Sequence, residues 1–317
     1  MAPTAVPTSA ARVEPQRRSR LFARLRQQVP KVKCPEVPLI LAGALGGPFV
    51  IFFLTPLRNA LTLASQEPQS ASWELYVKTF QDGFCGGWTG GFVPVIPSCP
   101  QFVMMGPLFH VLKEATHSAF LAVVLSSMAE TIISFGSQTL NAQLAYNAEQ
   151  AAFGGEHVPL FNPWYILGPG VTPHVLRNIV NACGIRVFAG PCHKVMEALA
   201  ERCGLARQSK VMSFLADFIA AICAACLSAP LNQCYNFAVT SEDYINSNTA
   251  ERTSMLLGFV SDSYLLRGET GQIVGFTPTL GRDLFMRCAY VATLMTMFSA
   301  IEKIAVALGK RRKPTPA

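Results

Sequence analysis

Charged residues are scarce in this 317-residue sequence, and long stretches contain none of them. Only 14% of the residues are charged and 50% are hydrophobic, whereas a soluble domain carries about 25% charged residues. Residues 38–57 contain no charge, residues 92–112 contain none apart from His110, and residues 118–146 and 211–239 contain one acid each. About 20 apolar residues can cross the ~30 Å hydrocarbon layer of a bilayer. The sequence therefore predicts a membrane protein; the less favoured alternative is a large soluble protein with buried helices.

The sequence also lacks the spacing of metal sites and of common enzymes. Its ten cysteines show no disulfide or zinc pattern, and its five histidines are not spaced as metal ligands. Cys223 and Cys226 lie three residues apart in an apolar segment, where small residues favour close helix packing over a redox or metal role. No glycine-rich phosphate loop or nucleophile motif is present. We expect no enzymatic activity, no metal or cofactor, and no nucleic-acid partner.

Acidic residues are nearly absent from the N-terminal extension, residues 1–35. Its first 33 residues hold eight basic residues against Glu14, which accounts for the whole net charge of +7. An Arg-rich, acid-poor segment with many Ala, Ser and Pro residues is typical of mitochondrial targeting sequences. The apolar residues between Leu21 and Val29 would also suit a helix lying on an anionic membrane surface, and a solvated arm is the third alternative. Residues 309–317 form a second basic tail, which we expect among lipid headgroups.

One short motif occurs three times and divides the rest of the chain. Its fullest copy is Gly275-Phe-Thr-Pro-Thr-Leu-Gly-Arg282; the second copy runs from Gly170 to Arg177, and the first from Gly91 to Ser98, with Ser in place of Arg. Each copy opens a long apolar segment, and such self-similarity indicates a repeated architecture. We predict three repeats, at residues 36–115, 116–206 and 207–308.

Each repeat is predicted to supply two membrane-crossing helices joined by a loop and a short surface helix. The fold class is therefore an all-α membrane protein with six transmembrane helices, since helices satisfy every backbone polar group in lipid. The predicted helices cover about 38–61, 94–114, 117–146, 173–202, 211–239 and 278–308. Gly43 and Gly47 are expected to form a close-packing face. The first helix of each repeat is expected to bend, at Pro56, Ser134 and Pro230.

In these features the chain resembles the mitochondrial carrier family. That family's odd-numbered helices carry P-x-[DE]-x-x-[KR], followed by [DE]-G-x-x-x-x-[aromatic]-[KR]-G. Residues 82–90, Asp-Gly-Phe-Cys-Gly-Gly-Trp-Thr-Gly, match the second half except at Thr89, and residues 267–275 match it weakly. Pro56 and Pro230 match the opening of the first half. The resemblance covers about residues 36–308 and implies six tilted helices in pseudo-threefold symmetry, with a surface helix in each repeat on the matrix side.

The charged parts of the family pattern are largely missing. In the family, acid–base pairs on the odd helices close the matrix side, and a second ring on the even helices closes the opposite side. Here the matrix-gate positions hold Arg58 and Leu61, Gly136 and Thr139, and Asn232 and Tyr235. The opposite-gate positions hold His110 and Lys113, Ala189 and Cys192, and Leu294 and Met297. Alternating access needs two closed states of similar free energy, so this loss argues against ordinary transport.

The resemblance nevertheless implies a substrate site on the even helices. Family members contact substrate at the positions of Arg177-Asn178, Arg282-Asp283 and Ser98, and an Arg followed by a polar residue often accompanies carboxylate substrates. The structural alternative is that Arg177 pairs with a nearby acid, and Arg282 with Asp283 or a lipid headgroup. Gly90 and Gly275 lie where the family and the helix dipole suggest cardiolipin binding.

Three functions follow from these expectations. The favoured one is an accessory or structural subunit of a large complex in the mitochondrial inner membrane, such as a respiratory complex, that has lost transport. The second is a divergent carrier that exchanges a small anionic metabolite of carboxylate type. The third is an insertase-like or scaffolding relative in the outer membrane. The expected partners are membrane lipids and, for the first function, other subunits.

Overall fold

The structure is a computed structural model that describes residues 37–204 and 210–311, which are mostly helical. The N-terminal extension at residues 1–35 lies outside the described residues, as do residues 312–317 of the basic C-terminal tail. The predictions made for these two tails therefore stay predictions.

The helices between residues 37 and 153 follow the predicted apolar segments, because an apolar segment in a membrane satisfies its backbone hydrogen bonds internally as a helix. They are α1 (Val37–Leu41), a π-helical turn (Ala42–Gly46), α2 (Gly47–Phe53), α3 (Thr55–Leu63), α4 (Ser72–Lys78), a 3₁₀ turn (Phe84–Trp88), α5 (Val95–Thr116) and α6 (Ala119–Phe153).

The second half of the described chain adds longer helices and one hairpin. Its elements are α7 (Val171–Cys183), a π-helical turn (Gly184–Phe188), α8 (Ala189–Arg202), α9 (Lys210–Thr240), α10 (Glu242–Asn246), α11 (Thr249–Tyr264), β1 (Leu265–Arg267), β2 (Ile273–Phe276) and α12 (Pro278–Arg311).

Two of these helices are long and apolar enough to cross a bilayer: α6 over Ala119–Ala152 and α9 over Val211–Thr240. Two bent pairs of helices reach the same length and composition together. Ala42–Phe53 and Thr55–Leu63 meet at 50°, and Val95–Met105 and Pro107–Thr116 meet at 43°. The described residues thus contain two helices able to span a membrane, or four when each bent pair is one span.

Each long helical segment packs against the next one in sequence. Helix α2 packs on α5, α5 on α6, α6 on α7, α7 and α8 on α9, and α9 on α12. Helix α12 returns to pack against α1 and α3. The close-packing face is confirmed, since a Cβ at Gly43 would lie 3.2 Å from the backbone nitrogen of Val103, and one at Gly47 would lie 2.5 Å from the ring of Phe102.

The predicted bend at Pro56 is confirmed by the 50° angle between the helices on either side of Leu54. Proline removes a backbone donor and its ring crowds the preceding turn, so the helix breaks one residue before Thr55. Helices α6 and α9 instead run without interruption through Ser134 and Pro230. The Ser134 hydroxyl donates to the carbonyl of Glu130 one turn earlier, which leaves the helix intact.

The all-α prediction is wrong at residues 265–276. Strands β1 and β2 pair there as an antiparallel hairpin, with Leu266 opposite Gly275. The turn between them places Gly271 at a φ of 77°, a conformation that favours glycine. Gly275 therefore lies in a strand, and α12 begins three residues later. The loop 155–170 contains no helix, so the second repeat lacks the predicted surface helix.

Polar side chains are buried and large apolar side chains are exposed along the long helices. Leu45, Ile96, Ile132, Leu227 and Phe285 are each more than half exposed. The buried polar side chains include Asn59, Asn141, Gln143, Asn232, Gln233 and Asn236. The interior thus combines apolar clusters with many buried amides, and this set of buried polar and exposed apolar side chains is consistent with a helical bundle in a membrane.

Candidate functional site

A cavity of about 970 Å³ lies between the long helices. Its wall includes residues of every long helical segment, from Ile40 before the π-helical turn to Phe298 in α12. Along α9 the lining extends from Phe214 to Asn236, about 30 Å at the rise of 1.5 Å per residue. Small-molecule sites are commonly 300–1,000 Å³, so the cavity is large enough for a metabolite.

Arg177 lies at the centre of a polar cluster on this wall. It is only 6% exposed, and its guanidinium carbon lies 4.8 Å from the ring centroid of Tyr235. Its nitrogens donate to Gln138 Oε1 at 2.9 Å, Asn232 Oδ1 at 3.1 Å, His174 Nδ1 at 3.1 Å and Asn178 Oδ1 at 3.3 Å. All of these partners are neutral oxygen or nitrogen acceptors, so the hydrogen bonds hold the guanidinium in place without neutralising it.

Three further arginines, Arg58, Arg186 and Arg287, line the same cavity, and two of them interact with Arg177. Arg287 is 5% exposed; its Nε donates to Ser228 Oγ at 3.4 Å, and its guanidinium carbon lies 5.5 Å from the ring of Tyr290. Arg58 donates through Nη2 to Asn141 Oδ1 at 2.8 Å, while its buried Nε has no hydrogen-bond partner. Both lie near enough to Arg177 for their positive charges to repel its charge.

Glu130 is an acid of the cavity wall whose charge interacts with that of Arg177. Its Oε1 accepts a hydrogen bond of 2.7 Å from Gln101 Nε2, so its direct partner is an amide on α5. The whole wall carries four arginines, since Arg186 lines it as well, against the three acids Glu114, Glu130 and Asp217, which leaves an excess of one positive charge. Uncompensated buried charges are costly, so an anion entering the cavity would relieve this cost.

Polar contacts join α3, α6 and α9 at one end of the cavity. Arg58 joins α3 to α6 through Asn141, and the hydroxyls of Thr139 and Tyr235 join α6 to α9 at 3.1 Å. Asn236 Nδ2 joins α9 to α3 by donating to the carbonyl of Leu61 at 2.8 Å. A second layer consists of Asn141 Nδ2 to Asn59 Oδ1 at 3.2 Å, Gln143 Nε2 to the Val239 carbonyl at 3.0 Å, and Gln66 Nε2 to Thr240 Oγ1 at 2.6 Å.

These contacts involve most of the positions that the sequence assigned to a degenerate matrix gate. Arg58, Leu61, Asn232 and Tyr235 line the cavity, and Thr139 bonds to Tyr235. Gly136 instead lies against the loop after α6, where a Cβ would be 2.2 Å from the carbonyl oxygen of Pro163. The helices therefore meet through amides, hydroxyls and one arginine where the family pattern has acid–base pairs.

The positions predicted for the opposite gate lie toward the other end of the cavity. His110, Ala189 and Leu294 line it, and His110 is exposed. Lys113 is exposed as well, whereas Cys192 and Met297 are half-buried. Beyond them, Glu114 and Asp217 also reach the cavity wall, and Asp217 Oδ1 lies 2.9 Å from His193 Nε2.

The predicted substrate residues separate into two groups. Arg177 and Asn178 line the cavity, as the sequence suggested. Arg282 lies against Asp283 at 2.8 Å and donates to the carbonyls of Ala64, Glu67 and Ser70. Ser98 is 1% exposed and donates to the carbonyl of Val95. The described residues that line the cavity do not include Arg282, Asp283 or Ser98.

The two positions suggested for lipid binding have different surroundings. Gly90 has a φ of 70°, and a Cβ there would lie 3.1 Å from the Cβ of Leu144, so the backbone packs closely against α6. Gly275 lies in strand β2 with open space beside it. Cardiolipin binding stays a prediction at both. Within residues 37–204 and 210–311, no three His, Cys, Asp or Glu side chains are grouped to hold a metal ion.

The repeat pattern missed Arg287, the cavity arginine of the last helix. Matching the three motif copies pairs Arg177 with Arg282, which lies four residues into α12 and faces the loop after α3. Arg287 lies five residues later, about 140° further around the helix, and this rotation turns it toward the cavity. A second intramembrane arginine in the same predicted helix was the available signal.

The sequence was compared with known proteins. No protein-family model matches the chain, and no curated protein matches it.

Proposed function

We propose that this chain is a membrane transport protein of the mitochondrial carrier type that binds a small anion of the carboxylate class in its central cavity. The observation that supports the proposal most is the set of Arg58, Arg177 and Arg287 around a cavity of about 970 Å³. Guanidinium groups recognise carboxylates through paired, charge-assisted hydrogen bonds. The buried Nε of Arg58, which lacks a partner, is a donor that a bound carboxylate would satisfy.

The proposal includes six membrane-crossing segments arranged as three repeats in the mitochondrial inner membrane. The first, second, third and fifth segments would be the bent pair α2–α3, α5, α6 and α9, whose composition suits a membrane. The fourth and sixth would be α7–α8 and α12, which carry Arg177 and Arg287. The buried polar side chains around the cavity and the exposed apolar side chains of the long helices support this arrangement.

Transport now ranks above the subunit function that the sequence favoured. The argument for lost transport was the absence of gating ion pairs. The contacts among α3, α6 and α9 provide another way to hold one end closed, because they would form in one state and break in the other. Membership of a large complex and an insertase-like role in the outer membrane remain predictions, which native electrophoresis and membrane fractionation would test.

The test is anion binding and exchange by the purified full-length protein. Thermal stability in detergent would be measured with a panel of mono-, di- and tricarboxylates and inorganic phosphate, and uptake of the stabilising anion would follow in liposomes. We expect Arg177→Gln and Arg58→Gln to weaken binding at least tenfold, because a charge-assisted hydrogen bond contributes about 1.5–3 kcal/mol.

Arg267→Gln is the matched control, since it removes one arginine from the exposed hairpin strand β1. The unfolding temperature of each variant without anion separates loss of folding from loss of binding. Equal anion affinity in Arg58→Gln, Arg177→Gln and Arg267→Gln would contradict the proposal, as would a panel in which no anion stabilises the wild-type protein.

A further inference from the structure

Two cysteine thiols meet at the contact between α9 and α12. Cys226 Sγ of α9 lies 3.6 Å from Cys288 Sγ of α12, and both residues are half-buried and in the thiol form. A disulfide bond is about 2.05 Å long, so the sulfur atoms would have to approach by only about 1.5 Å. Rotation about a single Cα–Cβ bond moves each sulfur over such a distance.

The backbone around Cys226 is also able to adjust. Pro230 lies four residues later in α9 and has no N–H, so the carbonyl of Cys226 lacks the helical hydrogen bond that it would otherwise accept. Helix α9 runs without interruption through Pro230, but the missing bond makes local bending of the helix easier. The pair therefore combines a short sulfur–sulfur distance with a helix that can move slightly at one of the two residues.

The cysteine pair lies next to Arg287, the cavity arginine of α12. Arg287 precedes Cys288, and its Nε donates to Ser228 Oγ, two residues after Cys226. The two contacts form adjacent links between α9 and α12. A covalent bond at the first link would restrict the motion of α12 beside Arg287.

We propose that Cys226 and Cys288 form a redox-sensitive dithiol that a peroxide oxidises to a disulfide bond between α9 and α12. One sulfur attacks a peroxide oxygen, the O–O bond breaks, and a sulfenic acid forms as the first water, or an alcohol, leaves with the thiol proton. The second sulfur then attacks the sulfenic sulfur, the S–S bond forms, and the hydroxyl leaves as water with the second thiol proton. Two thiols lose two electrons and two protons, and one peroxide is reduced.

The consequence for activity rests on the proposed transport function. If α9 and α12 move relative to each other while an anion crosses, the disulfide slows exchange by holding Arg287 in one position. The disulfide itself forms whether or not the chain transports anything, so the two claims can fail separately.

The test is to treat the purified full-length protein in liposomes with hydrogen peroxide, block remaining thiols with N-ethylmaleimide and measure the mass. We expect the oxidised chain to carry two fewer maleimides than the ten that its cysteines can accept, and dithiothreitol to restore both. Trypsin cuts after Arg287, which places Cys288 in a peptide separate from Cys226. Mass spectrometry should find these two peptides linked.

Variants that each lack one cysteine identify the bond. Cys226→Ser and Cys288→Ser should each abolish the linked peptide, whereas Cys183→Ser, which removes a buried cysteine from α7, should leave it unchanged. Linkage of Cys288 to the exposed Cys223 instead, or peroxide oxidation of other cysteines while Cys226 and Cys288 stay alkylated, would overturn the inference. We expect peroxide to slow anion exchange in the wild type but not in Cys226→Ser. Unchanged exchange despite a formed disulfide would overturn only the effect on activity.

Discussion

Tyr235 connects the buried Arg177 to helix α6. Tyr235 has two contacts, because its ring lies 4.8 Å from the Arg177 guanidinium and its hydroxyl lies 3.1 Å from Thr139 Oγ1. The ring contact attracts a cation, and the hydroxyl joins α9 to α6. One side chain therefore contacts both the arginine of the cavity wall and the residue that joins α9 to α6.

We expect Tyr235→Phe to lower the free energy of unfolding by about 1 kcal/mol, because it removes the hydrogen bond to Thr139 and keeps the ring. Thermal unfolding in detergent would measure the change. Tyr165→Phe is the control, since Tyr165 is 60% exposed and its hydroxyl is accessible to solvent. An equal effect of both substitutions would show that the Thr139 contact contributes nothing.

Gly136 and Gly258 offer a second comparison, because both lie within helices but have different neighbours. A Cβ at Gly136 would lie 2.2 Å from the Pro163 carbonyl oxygen, and one at Gly258 would meet no atom within 4 Å. We expect Gly136→Ala to destabilise the protein by about 1–3 kcal/mol through overpacking, and Gly258→Ala to stabilise it by about 0.5–1 kcal/mol through helix propensity. Changes in unfolding temperature of opposite sign, relative to wild type, would confirm this. An unchanged unfolding temperature in Gly136→Ala would contradict it.

The individual elements show which parts of the fold a sequence can predict. Long apolar runs located the long helices, since a run of about 20 apolar residues has few other stable structures, and Pro56 located the bend. The hairpin was missed because its strands have three and four residues, too short to show a two-residue alternation. Arg177 and Asn178 followed from the repeats, whereas Arg287 depended on the rotation of α12, which the repeat spacing does not specify.

Helix α11 begins with a complete N-terminal capping box. Asn248 Oδ1 accepts hydrogen bonds of 3.0 Å from the backbone nitrogens of Ala250 and Glu251, and the Glu251 carboxylate accepts one from the Asn248 nitrogen. We expect Asn248→Ala to destabilise the protein by about 1 kcal/mol through loss of this cap. Ser254→Ala in the exposed middle of α11 is the control and should change stability little. Urea or thermal unfolding would measure both, and equal stability of the two variants would contradict the capping role.

At the scale of the whole molecule, the start of α12 is tied to the segment that follows α3. Arg282 of α12 donates to three carbonyls in the segment after α3, and Glu67 of that segment binds Lys78 of α4. Lys78 Nζ also lies 3.7 Å from Glu149 Oε1 of α6. At this end of the molecule, outside the cavity, ion pairs and hydrogen bonds to backbone carbonyls therefore join neighbouring segments.

The Glu67–Lys78 pair should make stability depend on pH at both extremes. Burial raises the pKa of Glu67, but its hydrogen bonds from Lys78 and Ser70 outweigh burial, so the pKa is lowered from 4.5. Burial lowers the pKa of Lys78, but Glu67 outweighs it, so the pKa is raised from 10.5. The contribution of Glu67 is present above pH 4.5 and lost as pH falls through its folded pKa. That of Lys78 is present below pH 10.5 and lost as pH rises through its folded pKa.

We therefore expect Lys78→Met to lower the unfolding temperature between these limits, and its difference from wild type to shrink at acidic and strongly alkaline pH. Thermal unfolding over a pH series would measure this. Lys194→Met, which removes an exposed lysine from α8, should leave the profile unchanged. A constant difference between Lys78→Met and wild type at every pH would contradict the assignment.

The amide and hydroxyl contacts among α3, α6 and α9 should be less sensitive to dissolved ions than ion pairs would be. Attraction between opposite charges is screened over about 8 Å at physiological ionic strength, so a closure made of exposed ion pairs weakens as salt is added. The Thr139–Tyr235 and Asn236–Leu61 bonds join neutral groups, on which counterions have little effect. The Arg58–Asn141 bond, in which a charged guanidinium meets a neutral amide, is the part of this set that added salt would affect most.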